Sequence, residues 1–280
     1  MASVAKSAIP MSLQMDVPAS YRLIVEYDGT GFSGFQFQPQ ARTVAGTLEE
    51  ALSLIMDVPV KVTAAGRTDA GVHAVGQVVS FTGRAGFPIE RLALALNSAL
   101  PQDLSVRDAA VTGADFSARL SALDRSYTYV VFNRAEPSAV ARRWSAFEHR
   151  SLDLDAMRCA AADLVGTHDF MTFCGVLPER GGTVRRLEDL SIERDGPLLR
   201  LHYRANGFLH RMVRIATGTL LEIGAGRRSP DSIPATLEAR DRRAAGLTAP
   251  AQGLFLVAVS YPDFSSRPDV LSWPLAASGV

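Results

Sequence analysis

Ala65-Gly66-Arg67-Thr68-Asp69-Ala70-Gly71-Val72-His73 sets an arginine, a hydroxyl and a carboxylate between two glycines. Residues 59–63 before it alternate like a strand, and residues 77–81 (QVVSF) after it are rich in β-formers. The stretch therefore reads as a loop joining two consecutive strands. Gly66 and Gly71 can take backbone shapes that other residues avoid. Loops held by a rigid sheet are where catalytic groups tend to sit. The plainer reading is a turn in which Asp69 caps backbone amides and Arg67 is solvated, and spacing alone leaves both open.

Working outward, residues 21–27 (YRLIVEY) form a strand pattern ending in the turn signal Asp28-Gly29. From Thr43 the pattern turns helical, with Leu48, Ala51, Leu52, Leu54 and Ile55 near one face. Residues 88–100 read as an amphipathic helix and 104–111 as a strand, which completes a β-α-β-β-α-β order. The rhythm repeats: a strand at 126–132 (SYTYVVF), a helix at 154–164, and a hairpin of 187–193 and 198–203 around Asp195-Gly196. A helix at 210–223 and a closing strand at 255–261 follow. Two such units predict an α+β fold of two ferredoxin-like halves, residues 21–115 and 116–264, sharing one antiparallel sheet with helices on one face. A mixed α/β domain with the same elements in another order fits the periodicity equally. Residues 1–20 and 265–280 read as flexible tails.

The chain has 280 residues, 47% apolar and 21% charged, enough to bury a substantial core and unlike a disordered chain. No apolar run approaches the length of a membrane span, and the first twenty residues, with Lys6 and no compact apolar stretch, do not read as a signal peptide. Cys159 and Cys174 suit reduced thiols in the cytoplasm better than a disulfide framework. Neither they nor the histidines form a ligand cluster, so no metal is expected. A nucleotide-binding glycine loop and a Gly-Xaa-Ser-Xaa-Gly elbow are both absent. With 29 basic and 29 acidic residues the net charge is zero, so total charge says nothing about nucleic acid. The basic residues are nearly all arginine, which suits bidentate phosphate contacts. The pairs Arg142/Arg143, Arg185/Arg186, Arg227/Arg228 and Arg242/Arg243 are candidates for a basic face.

Residues 66–74 (GRTDAGVHA) resemble the signature of the tRNA pseudouridine synthase A family. The resemblance continues in order through Glu26-Tyr27-Asp28-Gly29-Thr30, Gly34-Phe35-Gln36, Gly76-Gln77-Val78-Val79 and Phe116-Ser117-Ala118-Arg119. It runs on through Tyr127-Thr128-Tyr129, Gly166-Thr167-His168-Asp169-Phe170, the run from Asn206 to Arg214, and Gly253-Leu254-Phe255-Leu256. It implies an isomerase of two ferredoxin-like halves with the catalytic cleft between them. It also implies a homodimer acting without metal or cofactor on uridines 38 to 40 of the tRNA anticodon arm. By resemblance Asp69 is the catalytic carboxylate, Tyr127 contacts the target base, Arg214 pairs with Asp69, and Arg67 helps displace the target nucleotide.

Those roles suit the chemistry. An ionised carboxylate can act as nucleophile or base when the glycosidic bond is broken and remade. A neighbouring arginine opposes the effect of burial on such a group. A tyrosine face can stack a splayed base. His73, His168 and His210 are candidates for loop, backbone or phosphate contacts. The chain departs from the family pattern at Phe35, Phe37, Ala45, Gly181 and Gly182, which bears on which RNA is used. A non-catalytic RNA-binding module has no need of a loop carboxylate facing phosphates. An aspartate-dependent hydrolase wants a second carboxylate or a metal, which the signature loop does not offer.

Overall fold

Tyr21, Leu23, Val25 and Tyr27 of β1 (Pro18–Tyr27) lie on one face and are all buried, as a half-buried strand of period two requires. The computed structural model describes residues 18–271 and 274–276. α1 (Val44–Met56) starts where the Thr43 side chain accepts from the Gly46 amide and stops at Asp57, which turns left-handed at φ 56°. β2 (Val62–Ala64), β3 (His73–Arg84), α2 (Ile89–Ala99) and β4 (Leu104–Thr112) follow. The second half comprises β5 (Asp124–Asn133), β6 (Ala146–Glu148), α3 (Leu154–Ala162), β7 (Gly166–Asp169), β8 (Val184–Asp195), β9 (Leu198–Ala205), α4 (Met212–Gly224), α5 (Ile233–Glu238) and β10 (Leu254–Ser260). The expected strands and helices are present, although the strand expected at 59–63 is shortened to β2; the short β6, β7 and α5 lacked enough residues for a readable period.

All strands belong to one sheet of order β4-β1-β3-β10-β5-β9-β8-β7, with β2 on β3 and β6 on β5. Each half has the ferredoxin-like order, its fourth strand beside its first. The class is α+β as expected, but the sheet is mixed rather than wholly antiparallel. β10 runs parallel to β3, pairing Phe255 with His73 and Leu256 with Ala74, and β6 runs parallel to β5. The parallel seam joins the halves at the start of β3, directly after the Gly66–Gly71 loop.

The faces of the sheet separate cleanly. Tyr127, Tyr129, Val131, Leu254 and Leu256 join one large core with Leu48, Leu92, Met157 and Ile215 from α1 to α4. Val130, Phe132, Phe255 and Val257 point the other way into a small core with Ala141, Leu198 and Leu275. The tail expectations change here. Pro18 to Ser20 pair with both β3 and β4 or with β3 alone, so only residues 1–17 of that segment lie outside the described residues. Of the C-terminal segment, residues 272, 273 and 277–280 lie outside the described residues, but buried Ser266 Oγ accepts from the Val259 amide and donates to the Gly76 carbonyl at 2.6 Å. The fully buried Arg200 donates to the carbonyls of Pro274 and Ala276. The side-chain pattern did not show this, because the segment is held partly through the carbonyls of Pro274 and Ala276.

His73 opens β3 beneath Trp144 and Phe255, almost wholly buried. The Gly29 amide donates to Nδ1 at 3.1 Å, so Nε2 carries the hydrogen and donates to the Arg143 carbonyl at 3.0 Å. The ring is neutral, and its approach to Asp28 is not an ion pair. Burial pushes its pKa below the ordinary 6.5, against the opposing pull of Asp28 and of backbone contacts to Arg143 and Gln252. A lowered folded-state value means that the unfolded chain binds the proton more readily. The contribution to stability is therefore complete above about pH 6.5 and is lost as pH falls below it. His202, lowered by burial in the same way, acts in the same direction. Melting curves between pH 7.5 and pH 5 are expected to show a smaller loss on acidification for His73→Gln than for the wild type.

Candidate active site

The loop between β2 and β3 is gripped on several sides. The Gln77 side chain donates to the Gly66 carbonyl at 2.7 Å, and the Tyr27 hydroxyl bonds the Thr68 hydroxyl at 2.8 Å. The Phe35 amide donates to the Thr68 carbonyl at 3.0 Å, and the Val72 amide to the Asp69 carbonyl at 3.1 Å. At Gly29 a Cβ would lie 2.0 Å from the Val72 carbonyl oxygen, so the backbone passes where no side chain fits. Gly71 has φ +78°, as its sequence position suggested; Gly66 does not need a special φ and instead leaves room for the Tyr127 hydroxyl, 3.3 Å from where its Cβ would stand.

On this support Asp69 meets α4. Arg214, in the first turn of α4, donates from Nη1 to Asp69 Oδ2 at 2.6 Å. Its Nε donates to the Ala249 carbonyl at 2.8 Å, and the Ala249 amide returns a bond to the Arg214 carbonyl. The guanidinium is thus held by backbone on one edge and presented to the carboxylate on the other. Asp69 is 21% exposed and Arg214 13%. Two further basic groups approach: Arg211 Nε lies 3.8 Å from Oδ2 and His210 Nε2 3.7 Å from Oδ1. Arg211 has φ +59° in the turn before α4. A non-glycine residue held left-handed costs on the order of 1–3 kcal/mol and marks a place where the fold imposes a geometry.

Tyr127, on the inward face of β5, lies beside the loop with Phe208 edge-on at 5.1 Å. Burial pushes its phenol pKa strongly upward, with Tyr27 and Asp69 adding to the rise and Arg125 opposing it, so it stays a neutral phenol. Asp69, Tyr127 and Arg214 therefore converge from three distant segments. Arg67 points outward: it is exposed and makes no ion pair or hydrogen bond among the described residues. Of the other histidines, His73 is structural as described, and His168 Nε2 meets the Val165 carbonyl at 3.1 Å. Among the described residues no group of His, Cys, Asp and Glu could hold a metal, and no helix is long and apolar enough to cross a membrane. The expected arginine pairs are partly neutralised, because Arg186, Arg228 and Arg243 face Glu188, Glu222 and Asp241.

The family model described as tRNA pseudouridine synthase matches residues 23–120 and 160–262, which include Arg67, Asp69, His210, Arg211 and Arg214, while Tyr127 falls between the two matched stretches. The chain belongs to the tRNA pseudouridine synthase family. Pseudouridine synthases are isomerases, and that is the enzyme class of this chain. It is 48% identical over 233 residues to tRNA pseudouridine synthase A of Halalkalibacterium halodurans, spanning 83% of this chain and 89% of that one. It is 43% identical over 252 residues to tRNA pseudouridine synthase A of Alcanivorax borkumensis, spanning 90% and 94%. A distant likeness, with TM-score 0.32 and 13% identity, exists to the archaeal box H/ACA sRNP Nop10–Cbf5 complex; it covers 77% of this chain and only 47% of that chain.

The departures from the family pattern sit at different distances from this centre. Phe35 is buried against Tyr27 behind the loop, and Ala45 is buried in α1, so both act through packing. Phe37 is exposed under the Lys61 ammonium, 4.9 Å away. Gly181 and Gly182 are both left-handed at an open turn before β8.

One site residue went unread in the sequence. Arg125 is buried on β5 and donates to the carbonyls of Ala65, Arg119, Ala122 and Asn206 at 2.6–3.3 Å. It ties the start of the Asp69 loop to the segment that leads into α4. Its signal was its register: Arg125, Tyr127 and Tyr129 alternate along β5, so the arginine had to face inward with the tyrosines. Replacing it with Met leaves several buried carbonyls without donors, each worth about 1–3 kcal/mol. Urea unfolding is expected to show Arg125→Met destabilised by about 3 kcal/mol, and Arg125→Lys, with fewer donors in the wrong geometry, only partly restored.

Proposed function

We propose that this chain isomerises uridine to pseudouridine in the anticodon arm of tRNA, at positions 38 to 40, with Asp69 as the catalytic carboxylate. The observation that carries this reading is the 2.6 Å contact between Asp69 Oδ2 and Arg214, which leaves Oδ1 without a hydrogen bond among the described residues and with His210 Nε2 3.7 Å away. A carboxylate with one oxygen fixed by a guanidinium and the other open is set to act on a sugar or base brought to it. A base inside a stem cannot reach such a group, so the nucleotide leaves its stack before reaction. Tyr127 and Phe208 supply the aromatic wall that a splayed base meets. Arg67, exposed two positions before Asp69, is suited to take a backbone phosphate or the place of the extruded nucleotide.

The chain uses neither metal nor cofactor on this reading, works in the cytoplasm, and acts as a homodimer whose second subunit supports the tRNA body. Exposed Arg67, two positions before Asp69, and exposed Arg211, 3.8 Å from it, put positive charge at the site despite the zero net charge.

The reading is tested by tritium release from tRNA labelled at C5 of uridine, since C5 must lose its hydrogen when it bonds to the sugar. Wild type is expected to release tritium and Asp69→Asn to release none above background; equal release from both would remove Asp69 from its role. Affinity for tRNA is expected to fall steeply with salt, because each phosphate contact releases counterions. Arg67→Ala should flatten that slope by about one contact in filter binding at several ionic strengths.

A further inference from the structure

Pseudouridine formation needs a proton acceptor as well as a carboxylate. The C1′–N1 bond breaks and a C1′–C5 bond forms, after which C5 carries both the sugar and its hydrogen. That hydrogen leaves as a proton. Its bonding pair restores the C5–C6 double bond and displaces electrons to N1, which takes up a proton. Nothing is oxidised or reduced. The base that receives the C5 proton has to stand beside the open oxygen of Asp69.

Of the basic side chains beside Asp69 among the described residues, Arg214 and Arg211 face Oδ2, and His210 faces Oδ1 at 3.7 Å. That separation is too long for a hydrogen bond, so the imidazole is near the carboxylate without being consumed by it. Its place is imposed by the fold. Leu209 before it is buried, Arg211 after it is left-handed, and its own carbonyl accepts from the Gly175 amide at 2.9 Å. A Cβ at Gly175 would stand 2.8 Å from Nδ1, so the chain walls that edge of the ring and leaves Nε2 toward the site.

We infer that His210 is a further catalytic residue: its Nε2 accepts the proton from C5 of the rearranged uracil. The inference rests on the reading of Asp69 above. Imidazole is the side chain most often used for this task. Tyr127 is the obvious rival, but it is a neutral phenol that burial holds protonated, and a protonated phenol is a poor acceptor. The arginines cannot accept a proton at all. The His210 side chain is 37% exposed, so a proton taken from C5 exchanges with water, as release of the C5 hydrogen to solvent requires.

The test separates the bond rearrangement from the proton removal. tRNA carrying 5-fluorouridine can undergo the exchange of N1 for C5 but has no C5 proton to lose. With His210→Gln, tritium release from C5-labelled tRNA is expected to slow about 100-fold or more. Consumption of 5-fluorouridine tRNA by the same variant should stay within about twofold of wild type. With His210→Ala, added imidazole should restore tritium release in proportion to its concentration, which a purely structural role would not allow. Equal slowing of both reactions in His210→Gln without imidazole rescue, or no slowing of either, overturns the assignment. Failure of the wild type itself in both assays would count against the reading of the site, a different result from failure of His210 alone.

Discussion

The hydrogen bonds of the Arg125 guanidinium are the constraint on which the site depends. The side chain is buried, burial works against its charge, and the groups that it meets are four backbone carbonyls from three segments. A buried cation is tolerated only when its donors are used, and here each bond fixes a piece of chain that sheet pairing does not reach. Ala65 belongs to the first half and Asn206 to the second. Through them Arg125 sets the distance between the Asp69 loop and the N-terminus of α4, and so the 2.6 Å contact of Asp69 with Arg214.

Around that joint the fold is stiff. The parallel pairing of β10 with β3 locks the two halves together at His73, immediately after the loop. His73 itself is a buried neutral hub between the Gly29 amide and the Arg143 carbonyl, stacked on Phe255. The Asp69 loop is therefore anchored between strands and the start of α4, with Gly29 where chain passes chain, Gly71 where the backbone turns left-handed and Gly66 where the Tyr127 hydroxyl needs room. Side chains held this way require little rearrangement when a ligand arrives. The left-handed Arg211 fits the same picture, because it carries local strain where the chain must turn basic groups toward one carboxylate.

Electrostatics is organised locally rather than globally. Equal numbers of acidic and basic residues leave the chain neutral, yet Asp69 faces three basic side chains, while Arg186, Arg228 and Arg243 are matched to carboxylates elsewhere. A neutral total is compatible with positive charge at the site because screening confines each pair to about a Debye length.

The sequence by itself determined the order of strands and helices and pointed to Asp69, Tyr127 and Arg214. Hydrophobic alternation and a run of nine signature residues are local properties that a linear reading can hold. It also carried the inward register of Arg125, though as an alternation that gains meaning only once its carbonyl partners are known. Tertiary structure alone decided the parallel seam between the halves, the burial of Ser266 and Leu275, and the neutral state of His73. It alone brought His210 to the open side of Asp69. Each of these rests on contacts between residues far apart in the chain, several of them to backbone atoms. Backbone atoms carry no residue identity, so no pattern of side chains along the sequence announces them.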